Sequence, residues 1–376
     1  MRTVKAAAAA ATVALAAGAA SVAAGRFASD AALKASAGRP LPTEPLLTVH
    51  AATGGQITLT RDLASLRPGR YGLASGDGSH AVVGPVLEAV QTSVDTVARR
   101  LEHVVRGTFT PGDRVWLTPS AYAGDPGSAL GLDHTDLGIP GELGTLPAWF
   151  VPAARTTWVI AAHGLGATRE HALNLVGFLH RHQFPVLVPA YRGDPGAPRS
   201  PDGLNHLGEA EWPDLDAAVR YAVDHGAEAV VLLGWSTGAT MALRVATRSA
   251  LRERISGLVL DSPVLSWELT LRALAAARRA PRALLPLAVR AARGRTALRT
   301  DRALPAGGTE RPRMPVQIFH GPDDAIAPWA LSRRFAERDP NLVSLRTVPH
   351  APHGAMWNAD PEAYEEALRR FLIPLM

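Results

Sequence analysis

Serine 236 sits in the run Gly234-Trp235-Ser236-Thr237-Gly238, directly after the apolar stretch Ala229 to Leu233 and at the start of a helical pattern. A G-x-S-x-G run between a strand and a helix forces a sharp turn that lifts the serine hydroxyl to the end of a sheet. Glycines two before and two after leave room for neighbouring backbone. The helix N-terminus adds a positive field that favours an oxyanion at the serine. A hydroxyl alone is a poor nucleophile, so the rest of the chain must supply a base and an acid that orients it.

The order expected for this turn is serine, acid, histidine. After the apolar run Val316 to Phe319 comes His320-Gly321-Pro322-Asp323-Asp324-Ala325-Ile326-Ala327-Pro328. Asp324, three residues beyond Gly321, fits the acid best. Asp323 beside it is an alternative, and so is Asp261, which also suits a cap for the turn at Ser262-Pro263. The base lies in Pro349-His350-Ala351-Pro352-His353-Gly354. His353, followed by glycine at the end of the last loop, is favoured over His350. The turn His163-Gly164-Leu165-Gly166 follows another apolar run. The backbone N–H groups of Leu165 and Thr237 are the expected oxyanion donors, and His163 is read as support for its loop.

These residues need a scaffold that brings strand ends together. Strands are expected at Trp158 to Ala162, Pro185 to Pro189, Ala229 to Leu233, Gly257 to Leu260, Val316 to Phe319 and Leu345 to Val348. Helices are expected near 169–182, 212–224, 236–249 and 361–372. The strands read as continuous apolar runs, as strands covered on both faces do. Their alternation with helices predicts a mostly parallel sheet with helices on both faces, over residues 131–376. Residues 265–311 interrupt it with a helical insertion where a lid would sit. Between Leu269 and Thr300 there are eight arginines and no acidic residue, a pattern suited to an anionic membrane surface or an anionic substrate group, or else to a solvated basic face. Residues 41–130 carry short apolar runs separated by Pro-Gly and Gly-Asp-Gly turns, the pattern of a small β-rich module.

The composition bounds the chemistry. The chain has 376 residues, 47% of them hydrophobic, a formal charge of +5 and no cysteine. Disulfides, thiolate metal sites and a thiol nucleophile are therefore excluded. The basic balance has no nucleic-acid motif beside it, and no nucleic-acid partner is expected. Arg2 and Lys5 precede the uncharged, alanine-rich run Ala6 to Ala24. Residues 1–26 are read as a signal peptide or N-terminal membrane anchor, and 27–40 as a linker. Either reading sets the remainder outside the cytoplasm.

Taken together, AHGLGATRE, YRGDPGAPRSP, GWSTG, HGPDDAIAP and PHGAMW resemble the oxyanion loop, the segment after the next strand, the nucleophile elbow, the acid loop and the histidine loop of the α/β-hydrolase superfamily. The resemblance covers about residues 140–376. Two departures are the bulky Trp235 beside the serine and Asp194-Pro195 where the family often has histidine. The resemblance implies the α/β-hydrolase fold and a serine hydrolase. In it His353 takes the Ser236 proton, Asp324 steadies the imidazolium, and no metal or organic cofactor is required. A small-molecule ester is the expected substrate. A peptidase or amidase of the same fold is the enzymatic alternative, and a catalytically silent binding module the non-enzymatic one.

Overall fold

The computed structural model describes residues 39–295 and 311–376, together with Ala23, Arg26, Asp30 and Leu33; for 293–295 it describes the backbone alone. The expected signal or anchor segment falls almost wholly outside the described residues. Among these no helix is long and apolar enough to cross a membrane.

The β-rich module is a closed barrel. Its strands are β1 (Leu47–Thr53), β2 (Gln56–Thr60), β3 (Tyr71–Ser75), β4 (His80–Val86), β5 (Thr96–Arg106) and β6 (Arg114–Thr118). They close in the order β1-β2-β5-β4-β3-β6, which leaves no open edge. Alternate residues point inward, and Val49, Ile57, Leu59, Leu73, Val83 and Val115 fill the interior. The Arg99 guanidinium is also buried. It donates to the carbonyls of Gly84, Ser65, Arg67 and Gly69, so four of its five N–H groups are bonded inside the fold.

The second sheet has eight strands: β7 (Thr135–Gly141), β8 (Gly144–Val151), β9 (Thr157–Ala162), β10 (Val186–Pro189), β11 (Ala229–Trp235), β12 (Ile255–Asp261), β13 (Val316–His320) and β14 (Val343–Thr347). Their order is β14-β13-β12-β11-β9-β10-β8-β7. Strands β9 to β14 pair in parallel, and β8 runs antiparallel to both β10 and β7. The expected strand–helix alternation from residue 131 therefore gives way to a hairpin first. The turn between Gly141 and Gly144 makes it, and the polar–apolar alternation there is a two-sided strand signal rather than a buried run.

Two apolar layers cover the sheet. One joins Ile160, Leu232 and Leu260 to helices Trp212–Asp224 and Thr237–Arg248; the other joins Val159, Val231 and Val259 to helices Leu173–Arg181 and Pro361–Leu372. The insertion between β12 and β13 consists of helices Trp267–Ala277 and Leu285–Arg295; its remainder, 296–310, is outside the described residues. Trp267, Leu271, Leu274 and Val289 pack on Ile326 and Ala327 of the loop after β13, with Leu165 beside them. The stretch expected as a linker contributes Leu33, which is fully buried in this same cluster.

Candidate active site

Strand β11 delivers Ser236 into a turn so tight that its φ is +54° and its ψ −113°. Such a backbone costs a non-glycine residue on the order of 1–3 kcal/mol and persists only where its surroundings hold it. They do so here. The Ser236 amide donates to the Asp261 carbonyl at 2.8 Å. A Cβ on Gly238 would stand 2.1 Å from the Ala162 carbonyl oxygen, and one on Gly164 would stand 2.6 Å from the Ser236 Cβ. Glycine at these positions lets β9, the turn after it and the serine turn touch through backbone.

Ser236, His353 and Asp324 meet at the carboxyl ends of the parallel strands. His353 Nε2 lies 2.7 Å from Ser236 Oγ, and His353 Nδ1 lies 2.7 Å from Asp324 Oδ2. All three are buried. Burial alone would push the Asp324 carboxyl up. The charge His353 carries when protonated, hydrogen bonds from His320 and His353 and the charge of a protonated His320 outweigh it and hold it well below the usual carboxylate range. An ionised carboxylate only accepts. Nδ1 of His353 therefore carries the proton, and Nε2 of the neutral ring accepts from the Ser236 hydroxyl.

Asp324 is fixed from both sides. Its Oδ1 accepts the amides of Ile326 and Ala327, each at 2.8 Å. Its Oδ2 also accepts from His320 Nε2 at 3.0 Å. That nitrogen faces the Ala327 carbonyl as well, at 3.1 Å, so it is the protonated one, and His320 Nδ1 accepts from the Ser332 hydroxyl at 2.8 Å. His320 is a supporting residue that sequence reasoning left without a role; its position four before Asp324 was the available signal.

The other candidates lie elsewhere in the same loops. Asp323 Oδ2 accepts the His350 amide at 2.7 Å, so this pair ties the acid loop to the histidine loop and stands outside the Ser236–His353–Asp324 chain. Asp261 accepts from the Ser262 hydroxyl at 2.9 Å, and that hydroxyl in turn accepts the Gly354 amide. Among the described residues the Asp261 carboxyl accepts no backbone amide, so the expected cap is not formed.

Leu165 lies in the turn after β9. Its neighbour Gly164 has a carbonyl that receives three donors: His163 Nδ1 at 3.0 Å, the Tyr191 hydroxyl at 3.2 Å and the Ala167 amide at 3.2 Å. Among the described residues neither the Leu165 nor the Thr237 amide meets an acceptor. His163 Nε2 contacts Asp194 Oδ2 at 2.7 Å, and its ring stacks on Tyr191. Burial disfavours a charge on His163, but the Asp194 carboxylate and the hydrogen bonds to Asp194 and Gly164 win and raise its pKa. The departure at Asp194 is thus the partner of the loop histidine.

Residues 159–367 match the model of the alpha/beta hydrolase family, more than half of the chain. The chain belongs to the alpha/beta hydrolase family. Residues 48–118, the barrel, match a domain of unknown function, DUF8805. No curated protein matches the sequence. Among solved structures, the Pyrococcus furiosus esterase Pf2001 superposes with a TM-score of 0.53 at 22% identity, over 66% of this chain and 93% of that one. Est1E from Butyrivibrio proteoclasticus, solved with ferulic acid, gives a TM-score of 0.49 at 18% identity, over 63% and 98%. XC6422 from Xanthomonas campestris, described as a serine hydrolase without lid, gives 0.47 at 17%, over 65% and 95%. These likenesses are of fold.

Proposed function

We propose that this chain is a serine hydrolase that cleaves carboxylic esters through an acyl-enzyme. The observation that carries the reading is the unbroken line from Ser236 Oγ through His353 to Asp324, with both contacts at 2.7 Å. Ser236 Oγ attacks the ester carbonyl carbon while His353 Nε2 takes the hydroxyl proton. The tetrahedral intermediate collapses, the C–O bond to the alcohol breaks, and the imidazolium returns its proton to the leaving alkoxide. Water then attacks the acyl-serine, losing a proton to His353, and the acid departs as Ser236 regains its proton. Asp324 keeps its charge throughout and steadies the imidazolium.

Leu165 and Thr237 amides are the oxyanion donors in this scheme. In a planar trans peptide the N–H points opposite to the preceding C=O. Anchoring the Gly164 carbonyl on His163, Tyr191 and Ala167 therefore fixes the direction of the Leu165 N–H. Two further parts of the reading rest on sequence. Residues 1–26 support an extracytoplasmic, secreted or anchored location, which cell fractionation and N-terminal sequencing of the mature protein would test. Arg278, Arg279, Arg282 and Arg290 are exposed on the insertion and suit an anionic surface. Vesicle binding that ignores anionic lipid and salt would sink that idea.

The decisive experiment is labelling with a fluorophosphonate. Wild type is expected to label at Ser236 and to hydrolyse p-nitrophenyl esters. Ser236→Ala should not label and should lose on the order of 10⁴-fold or more in kcat with its melting temperature nearly unchanged. A wild-type chain that neither labels nor turns over any ester would overturn the reading.

A further inference from the structure

The cavity beside Ser236 is shared between the two parts of the molecule. Its volume is about 130 Å³, and Ser236, His353 and the turn Gly164–Thr168 form one side. The other side comes from the barrel: Ala74, His80 and the stretch Trp116–Ser120, with Leu41 leading into it. None of these barrel residues belongs to the part of the chain that matches the hydrolase family.

The barrel wall is held against the serine. The Pro119 carbonyl accepts from Asn174 Nδ2 and from Asn358 Nδ2, both at 2.9 Å. Asn174 Oδ1 accepts the Ala121 amide at 3.1 Å. Asn358 also bonds both backbone groups of Arg70, its carbonyl taking the Arg70 amide at 2.8 Å and its Nδ2 donating to the Arg70 carbonyl at 2.8 Å. Asn174 and Asn358 are buried, 4% and 0% exposed, so their ends of these bonds are shielded from water. Asn358 lies five residues after His353, and one clamp therefore grips both the barrel and the histidine loop.

The lining is mixed, with the exposed Arg39 and the carboxylates of Glu44 and Glu170 beside apolar surface. Trp116, Pro119, Leu165 and Trp235 supply apolar surface. Of the carboxylates at its rim, Glu44 is paired with Arg67 at 2.6 Å and Glu170 accepts the Gly124 amide at 2.8 Å. His171 packs its ring on Trp235 at 4.6 Å, and burial, with the charges on His163 and His353, pushes its pKa down to about 3, so it stays neutral. A space of this size in proteins accommodates roughly one benzene ring or a chain of a few carbons.

We propose that the barrel is the specificity element of the site: its Trp116–Ser120 edge walls a pocket that takes one arm of the ester and favours a short chain or a single ring. This rests on Ser236 being the nucleophile. Two ester series on the full chain distinguish which arm enters: p-nitrophenyl acetate, butyrate, octanoate and benzoate for the acyl side, and methyl, butyl and octyl acetate for the alcohol side. In one series kcat/KM should fall about tenfold or more between the four-carbon and eight-carbon members, since each methylene that fits or clashes is worth at least that order. Trp116→Ala should restore the eight-carbon ester about tenfold relative to the four-carbon one. Ser120→Phe, at a half-buried position that leaves the barrel interior intact, should act oppositely and favour the two-carbon ester. Each variant is labelled with fluorophosphonate in parallel. Labelled variants whose chain-length profiles match wild type in both series would overturn the proposal. Failure of the wild type to label would instead strike the serine-hydrolase reading. If Trp116→Ala does not fold, the Ser120→Phe profile decides alone.

Discussion

Asp194 Oδ2 lies 2.7 Å from His163 Nε2 and also accepts the Tyr191 amide at 2.9 Å, so one carboxylate binds both the histidine and the tyrosine that anchor the Gly164 carbonyl. Asp194→Asn removes the charge that keeps His163 protonated. The expected result is a fall in kcat of about tenfold with KM little changed, because a misdirected Leu165 amide weakens the transition state more than the ground state. The pair also contributes stability. His163 has a raised folded pKa, so its contribution is complete below the ordinary value of 6.5 and is lost as pH rises through the folded value. The melting-temperature gap between wild type and Asp194→Asn should be widest at acid-to-neutral pH and narrow in alkali. A gap that widens with rising pH would count against a charged pair.

His353→Ala should lose on the order of 10³-fold or more in kcat, while His350→Ala should stay within about tenfold of wild type. Asp324→Asn should be severe and Asp323→Asn mild, the latter costing only the tie to the His350 amide. Steady-state kinetics on one activated ester compares all four. Inactivity of His350→Ala with a folded chain would reassign the base. Asp324 is held below the usual carboxylate range, so the acid limb of the wild-type pH profile should not report its titration.

Asp261 behaves in the opposite sense. Burial pushes its carboxyl up to about 7, against the Ser262 hydrogen bond and the attraction of His353. Between the ordinary value of 3.8 and about 7 the unfolded chain loses a proton that the folded chain keeps, so stability falls with rising pH over that window and stays lowered above it. Asp261→Asn keeps an Oδ1 acceptor for the Ser262 hydroxyl and has no such titration. Its melting temperature should gain on wild type from pH 4 to 7, by several degrees at the upper end. Parallel curves across that range would show that Asp261 is not titrating there.

The sheet was legible because buried parallel strands leave continuous apolar runs, and Val231, Val259 and Ile318 all fall inside the expected ones. The three side chains that meet at the candidate site, Ser236, His353 and Asp324, were legible because each sits where a strand ends in a glycine-containing loop. The hairpin β7–β8 escaped because its glycines and prolines, Gly138 and Pro140 among them, mask the alternation. The last strand begins at Val343 rather than Leu345, since its outward residues are polar and weaken the apolar run. His320, Asn174 and Asn358 were missed for another reason: their work is with partners distant in the chain, and no local spacing encodes that. The barrel's share in the cavity is of the same kind, because Trp116 reads as an ordinary strand residue until the tertiary arrangement sets it opposite Ser236.

The bonds between Asn358 and Arg70 join residues 288 positions apart. Contacts that distant close late, since the intervening chain must first be ordered. The barrel strands all lie in the first third of the sequence, whereas the clamp that seats them waits for residue 358 to be made. Before residue 353 is made, Ser236 has no His353 to meet. The contact between Ser236 and His353 therefore forms only after every barrel strand has been made.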